Sequence, residues 1–376
     1  MLVRPAMGAE IKRTHAFVRS IAMGDAFTAV ADSHETIGYN PAGLYQKEIE
    51  WSLAFPLAGL GFNDIVKEWN NSETERDFTD TETLKDLPGK RIWLEVQVPG
   101  GLTDNQIPVF LPYLFIPDKG FYTGFDVDAW LEIAFPPQTI IPTVSLEAVG
   151  QAVYDLALAV DLWGLTIGSN AKLIYRQGVV ADLDLISIAA YLENEDFEGL
   201  IDEYGGDQPD PKVVFDFGVL YRFDHPWNFR IGLSALDAVS ANIGAEQELL
   251  YGGVDYGSAG EVVQLNSIGF ALTKQVEEFD MTASLDYHDF TYSYFPDDSL
   301  NRRICIGFEA GYNRKPDNSH MASIQLGLKE LKYPSFGFGL TLGALEFNTV
   351  RWIENFGTEE TEILDTRYMF LISIVF

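Results

Sequence analysis

The chain closes on Tyr368-Met369-Phe370-Leu371-Ile372-Ser373-Ile374-Val375-Phe376. Taken two at a time from the end, Phe376, Ile374, Ile372, Phe370 and Tyr368 form one apolar, aromatic face. Val375, Ser373, Leu371, Met369 and Arg367 form a mixed opposite face. Side chains of a strand point alternately to its two sides, so this stretch reads as a strand with one greasy side and one tolerant side. An exposed aromatic edge strand invites pairing with other chains. Two architectures hide it: a soluble β-sandwich, or a closed barrel whose outer face meets lipid.

Working outward, the same alternation recurs. Ile49, Trp51, Leu53 and Phe55 share a face, as do Phe125, Val127, Ala129, Leu131, Ile133 and Phe135. The most regular stripe is Val213, Phe215, Phe217, Val219, Tyr221 and Phe223. Further strands are expected at 92–98, 108–117, 153–162, 165–176, 183–192, 227–233, 262–273, 281–290, 304–312, 321–328, 336–342, 345–353 and 364–376. The connections at 224–226, 275–278 and 343–344 are short, and those at 193–212, 238–261, 291–301 and 354–365 are long. Short turns at one end and long loops at the other are the build of an outer-membrane barrel. The raw count is about sixteen strands. Pro112 and Pro117 each remove a ladder hydrogen bond, which makes 92–117 the weakest strand region.

Composition agrees. The 376 residues are 47% hydrophobic and 13% aromatic, yet no run of about eighteen apolar residues makes a membrane helix. A membrane barrel conceals its hydrophobicity in alternation. The formal charge of −31 argues against nucleic acid, which demands a basic footprint. The acids gather between strands, as at 193–210 and 359–362, and read either as a solvated loop surface or as a bridge through divalent cations to anionic lipid head groups or a partner, though their spacing matches no calcium-loop motif. The single Cys305 excludes an intrachain disulfide. Residues 1–9 carry one charge and small residues without the apolar core of a signal peptide, so a signal has been removed or replaced, or the start lies elsewhere.

The segment before the first strand is rich in small residues: Ala22, Gly24, Ala26, Ala29 and Ala31. Gly24 tolerates a positive φ, and Asn40-Pro41 marks a turn. Such a segment is either a pendant tail or a plug in the lumen. Met23-Gly-Asp-Ala-Phe-Thr-Ala-Val-Ala-Asp32 followed by Tyr39-Asn-Pro-Ala-Gly-Leu44 resembles the N-terminal hatch of the FadL-type outer-membrane barrels. That superfamily includes long-chain fatty-acid transporters, toluene and xylene channels and PorV-like barrels. The resemblance covers about a tenth of the chain closely and extends loosely to the rest through the strand pattern.

The resemblance implies an all-β fold: a transmembrane antiparallel up-and-down barrel of about fourteen strands, within about twelve to sixteen, in the bacterial outer membrane. It implies a hatch in residues 1–48, with Gly24, Asp25, Asp32, Asn40, Pro41, Ala42 and Gly43 as its marks, and a barrel in residues 49–376. It implies passive uptake of a hydrophobic, fatty-acid-like molecule, or else a sealed PorV-like barrel that binds an envelope protein partner. Membrane lipid is the one partner common to both.

If the aromatic stripes face lipid, the opposite faces line the lumen, because a charge on the lipid face costs ~2–4 kcal/mol near the midplane. Asp126, Asp128, Glu132, Asp155, Asp161, Lys172, Asp216, Arg222, Arg230, Asp286, His288 and Glu309 are therefore expected inside. Charges of both signs there are expected to pair around the hatch. Leu249, Leu250 and Tyr251, in the long 238–260 connection, are the external apolar landing site expected of an uptake barrel. Ser284, Asp286 and His288 share a strand face, but alternate residues stand ~6.6–6.8 Å apart, too far for a nucleophile and its base. His15, His34, His225 and His320 show no metal-ligand spacing, and no cofactor motif is present.

Overall fold

The computed structural model describes residues 15, 17–46, 52–64, 91–99, 101–102, 108–109, 113–134, 143–184, 211–223, 226–242, 249–251, 253–256, 259–292, 300–313, 320–355 and 364–375. The chain forms β1 (Ser52–Asn63), β2 (Arg91–Pro99), β3 (Gly101–Leu102), β4 (Pro108–Val109) and β5 (Tyr113–Ile116). Then follow β6 (Phe121–Ala134), β7 (Thr143–Leu162), β8 (Leu165–Asp184), β9 (Lys212–Arg222) and β10 (Phe229–Asn242). Three short pieces come next, β11 (Leu249–Tyr251), β12 (Gly253–Asp255) and β13 (Glu261–Val263). The chain finishes with β14 (Leu265–Val276), β15 (Phe279–His288), β16 (Ile304–Asn313), β17 (His320–Lys329), β18 (Tyr333–Leu342), β19 (Leu345–Asn355) and β20 (Leu364–Val375).

Sixteen of these strands hydrogen-bond into one sheet, which closes on itself where β9 pairs β10 and where the last strand, β20, pairs the first, β1. In that sheet β5 continues the line of β2, and β11 is a short addition to β10, so the wall has fourteen staves. Every pairing among the described residues is antiparallel, and closure removes the free edge strands of an open sheet.

The faces sort as the alternation requires. In β9, Val214, Asp216, Gly218 and Leu220 are buried, whereas Phe217 is 45% exposed. In β20, Asp365, Arg367, Met369 and Ser373 are buried, whereas Phe370 is 47% exposed. Exposed Leu, Ile, Phe and Tyr side chains continue around the wall, from Leu60 through Tyr154, Leu158, Leu233, Phe308 and Phe336. Fourteen antiparallel strands with an apolar outside and a polar inside are the architecture of an outer-membrane β-barrel, and they exclude the soluble sandwich. Phe376 lies outside the described residues.

The two surplus strands of the raw count resolve differently from each other. The expected strands at 92–98 and 108–117 form one stave: Gln97 pairs Gly59 and Tyr113 pairs Ala54 on the same neighbour. Between the pieces the chain leaves the wall, and β3 pairs β4 there. The expected strand at 183–192 does not start at 183, because Leu183 and Asp184 are the end of β8; residues 185–192 lie outside the described ones. The hairpin β7–β8 is also longer than its apolar stripe, since β7 begins at Thr143. A strand that projects beyond hydrocarbon needs no apolar outer face, so its alternation fades there.

The connections Glu277-Glu278 and Gly343-Ala344 are tight, as expected. The turn Glu330–Lys332, at the end that carries the long loops, is short as well. The helical turns expected near 64–69 and 195–204 fall outside the described residues, Asp64 apart.

Candidate functional site

The first described residues run through the interior of this barrel. They form α1 (Val18–Ala22) and two 3-10 turns, His34–Gly38 and Pro41–Leu44. Met23, Phe27, Val30, Tyr39 and Leu44 are buried. Met23, Phe27, Val30 and Tyr39 cluster with the wall residues Leu220 and Ala271, and Val18 and Ala22 cluster with Val350 and Met369. The segment therefore touches the wall from β8 round to β20 rather than hanging outside it.

Glycines in the wall make the close approach. A Cβ on Gly168 would stand 2.4 Å from the Ala42 nitrogen, and one on Gly218 would stand 2.0 Å from Asn40 Oδ1. On the segment itself, Gly24 has φ +66° and its Cβ would stand 2.7 Å from the Leu328 nitrogen. Only glycine supplies that backbone sign without strain and that contact without a clash.

The sequence-selected residues of the segment each have a contact. Asn40 caps the second turn, its Oδ1 accepting from the Ala42 N–H at 3.1 Å. Its Nδ2 donates to the Thr28 carbonyl at 2.9 Å and to the wall carbonyl of Val219 at 3.2 Å. Pro41 follows at the first position of the turn, where its missing N–H costs nothing. Ala42 and Gly43 are buried, and a Cβ on Gly43 would overlap Ala31. Asp25 accepts the Tyr39 hydroxyl at 2.7 Å and faces Lys329 Nζ at 3.4 Å. Asp32 pairs Arg19 at 2.7 Å.

The inward charges of the wall sort into clusters. Asp286, fully buried, accepts the backbone N–H groups of Phe27 and Thr28 at 2.9 and 2.7 Å. Glu309 pairs Arg19 and accepts the Gln325 amide at 2.8 Å. Lys172 is held by Asp216 at 2.8 Å and Asp237 at 2.7 Å. Glu132 pairs Arg91 and lies 3.7 Å from Arg367. Arg230 donates to the Val30 carbonyl, and Arg222 to the Tyr45 carbonyl at 2.9 Å. Asp128 accepts the Gln151 amide at 3.2 Å. Asp161 sits at the rim and holds the β7–β8 turn, accepting the Gly164 N–H at 3.1 Å.

His288 is fully buried. Its Nε2 donates to the Asp25 carbonyl at 3.0 Å, which leaves Nδ1 to accept the Ser267 hydroxyl at 2.7 Å in the neutral ring. Its serine partner is thus on the neighbouring strand, not Ser284. Both ring nitrogens are committed to structural contacts.

Sequence reading missed several members. Arg19, Lys329 and Glu354 form ion pairs with residues it did name or with one another. Asp237 was counted outside any strand, at the edge of a presumed loop. It lies in β10 at a bulge between Ala235 and Val239, with φ +53°. Two extra residues are inserted there, and the Asp237 carboxylate turns inward to Lys172 while its own N–H reaches Asp216 at 2.8 Å. No periodic signal announces a bulge. Leu249, Leu250 and Tyr251, expected in an open loop, are paired as β11 onto Ala241, Ser240 and Val239. Their side chains lie outside the described ones.

A cavity lies beside the segment. It measures about 70 Å³ and is bordered by Phe17, His34, Tyr113, Tyr122, Val127 and Leu371, with acidic residues along one side. It lies against the split stave. The β1 wall is paired at Ala54 and again at Gly59, and the β6 wall at Thr123 and again at Asp126. Among the described residues the ladder is interrupted between those points.

No protein-family profile and no curated protein matches the sequence. Among solved structures, the chain is similar to the toluene transporter TbuX of Ralstonia pickettii, at 12% identity, 96% of this chain, 97% of that chain and a TM-score of 0.46. It is also similar to the toluene transporter TodX of Pseudomonas putida, at 11% identity, 97% and 98% of the two chains and a TM-score of 0.37. A third is OccK8 (OprE) of Pseudomonas aeruginosa, at 10% identity, 88% and 99% of the two chains and a TM-score of 0.27.

Proposed function

We propose that this chain is a bacterial outer-membrane barrel for passive uptake of a small, fatty-acid-like or aromatic hydrophobic molecule, with residues 1–48 as its hatch. The observation that carries the reading is the cavity next to the interrupted stave. A cavity that sets Phe17, Tyr113, Val127 and Leu371 beside acidic side chains, where the ladder is interrupted among the described residues, offers apolar cargo a way from lumen to hydrocarbon. A dry cavity that holds benzene has about 150 Å³, so 70 Å³ passes nothing until the N-terminal segment shifts. Uptake then consists of cargo reaching the mouth, displacement of the segment, and escape through the wall. No reaction and no cofactor enters.

The test is uptake of a labelled long-chain fatty acid and of toluene into cells or liposomes carrying the barrel. Uptake should rise over empty membranes and fall when Leu371→Trp fills the cavity. Equal uptake with and without the barrel overturns the reading. A second reading, a sealed PorV-like barrel that holds an envelope protein, is favoured by the buried ion pairs that fill the lumen. Co-purification of a stoichiometric envelope partner in mild detergent, with no uptake, would select it.

A further inference from the structure

We propose that His15, Asp126 and Asp155 form a binding site for a divalent first-row transition-metal cation, zinc being the reference ion, that ties the N-terminal segment to the wall. The candidate ligand atoms of the three side chains all lie within 4.8 Å of one another. They come from three elements: the N-terminal segment, β6 and β7. Their wide separation in sequence explains why no ligand spacing is visible in the chain.

Two observations beyond proximity point to an ion. His15 Nε2 and Asp155 Oδ2 stand 3.0 Å apart, the distance of an ion pair when the ring is protonated, and neither atom has any other hydrogen-bond partner. His15 is 4% exposed and Asp155 is fully buried. Tetrahedral bonds of ~2.1 Å set the ligand atoms of a zinc ion ~3.4 Å apart, so these two converging atoms become neighbouring ligands on moving apart by a few tenths of an ångström. The Asp155 carboxylate is also oriented: its Oδ1 accepts the Asn170 amide at 2.8 Å, which leaves Oδ2 aimed at the histidine. An oriented carboxylate is what an outer shell provides to a metal ligand.

Asp126 is the open side of the site. Its Oδ2 lies 3.7 Å from His15 Nδ1, and its side chain is 27% exposed. His15 and Asp126 both border the cavity, which leaves room for water to complete the coordination. One imidazole with two carboxylates suits zinc and its neighbours better than magnesium or calcium, which take oxygen ligands alone. The site goes beyond the uptake reading and is read out by metal content, so it stands or falls separately from transport.

The purified full chain in detergent, stripped with chelator, is titrated with Zn²⁺ by calorimetry, and bound metal is counted after gel filtration. One tight equivalent per chain is expected. His15→Ala and Asp155→Asn should each lower its affinity at least tenfold, and the exposed Asp118→Asn should not. Cobalt bound in place of zinc should give a visible spectrum that disappears in His15→Ala. Heat-modifiable gel mobility checks that each variant is a folded barrel. His15 lies outside the wall, so its variant decides the matter should Asp155→Asn fail to fold. Absence of a tight equivalent in the wild type, or wild-type binding by His15→Ala, overturns the proposal and leaves a protonated His15 held between two carboxylates.

Discussion

The Asp286 carboxylate in β15 accepts the backbone N–H of Phe27 at 2.9 Å, which fastens the N-terminal segment to the barrel by a charged hydrogen bond. The same oxygen takes the Thr28 N–H, so one side chain satisfies two buried donors. Hydrogen bonds to charged groups contribute ~1.5–3 kcal/mol, and an orphaned buried donor costs ~1–3 kcal/mol. Asp286→Ala should therefore lower the local opening free energy of this segment by ~3 kcal/mol. Hydrogen exchange of the Phe27 and Thr28 amides should accelerate by about a hundredfold, while the β14–β15 amides hold. Unchanged exchange at both amides would show that the segment is held by other contacts.

Steric fit gives a second prediction, with its own control. A Cβ on Gly168 would stand 2.4 Å from the Ala42 nitrogen, whereas one on Gly150 meets nothing within 4 Å. Overpacking a close contact costs ~1–3 kcal/mol. Gly168→Ala should leave the barrel folded but make the N-terminal segment a protease target, and Gly150→Ala should behave as wild type. Equal protease resistance in the two variants would mean that the segment does not sit against β8.

What the chain discloses before folding depends on whether a signal is periodic. Lipid imposes a period of two on Phe217, Phe370 and their stripe-mates, so the wall and its inward charges are legible. The Asn40-Pro41 turn is legible because proline restricts its neighbour. Asp237 is not, because alternation from the buried Ser234 and Leu236 would set it on the outer face, and only the local irregularity of β10 turns it inward. Nor is the union of β2 with β5, because an intervening excursion looks the same as a hairpin. Pairings such as Lys172 with Asp216 were foreseeable as a class, but the partner of each charge is set by register, which alternation leaves open.

The N-terminal segment should also respond to pH through Glu35. Burial raises its carboxyl, against the pull of Arg19, to about 8, and its Oε2 accepts the Ser20 N–H at 3.1 Å. The folded protein thus binds this proton more tightly than the unfolded chain does. Its contribution to stability is full below pH ~4.5 and is lost as pH rises through about 8. Exchange at Ser20 and its neighbours should accelerate between pH 5 and pH 8 beyond the intrinsic base-catalysed increase, with no further excess above about 8. Glu35→Gln, neutral throughout, should abolish that excess. An excess that persists in the glutamine variant would assign the transition to another group.

Phe217 faces hydrocarbon. It is 45% exposed on β9, between the exposed rows of the neighbouring strands, including Ile167 on β8 and Leu233 on β10. Arginine on the lipid face of a barrel costs ~2–4 kcal/mol at the midplane and close to nothing at the interfaces. Phe217→Arg should cut the equilibrium fraction folded into lipid vesicles, measured by tryptophan fluorescence in a urea series, and shift the midpoint accordingly. Phe223→Arg, at the end of the stripe beside the β9–β10 turn, should cost less. The gradient matters more than either value: water on that face would make both substitutions nearly neutral, and a protein interior would make Phe217→Arg lethal to folding in detergent as well as in lipid. A penalty that appears in lipid and falls from Phe217 to Phe223 is the outcome that only a membrane-spanning wall gives.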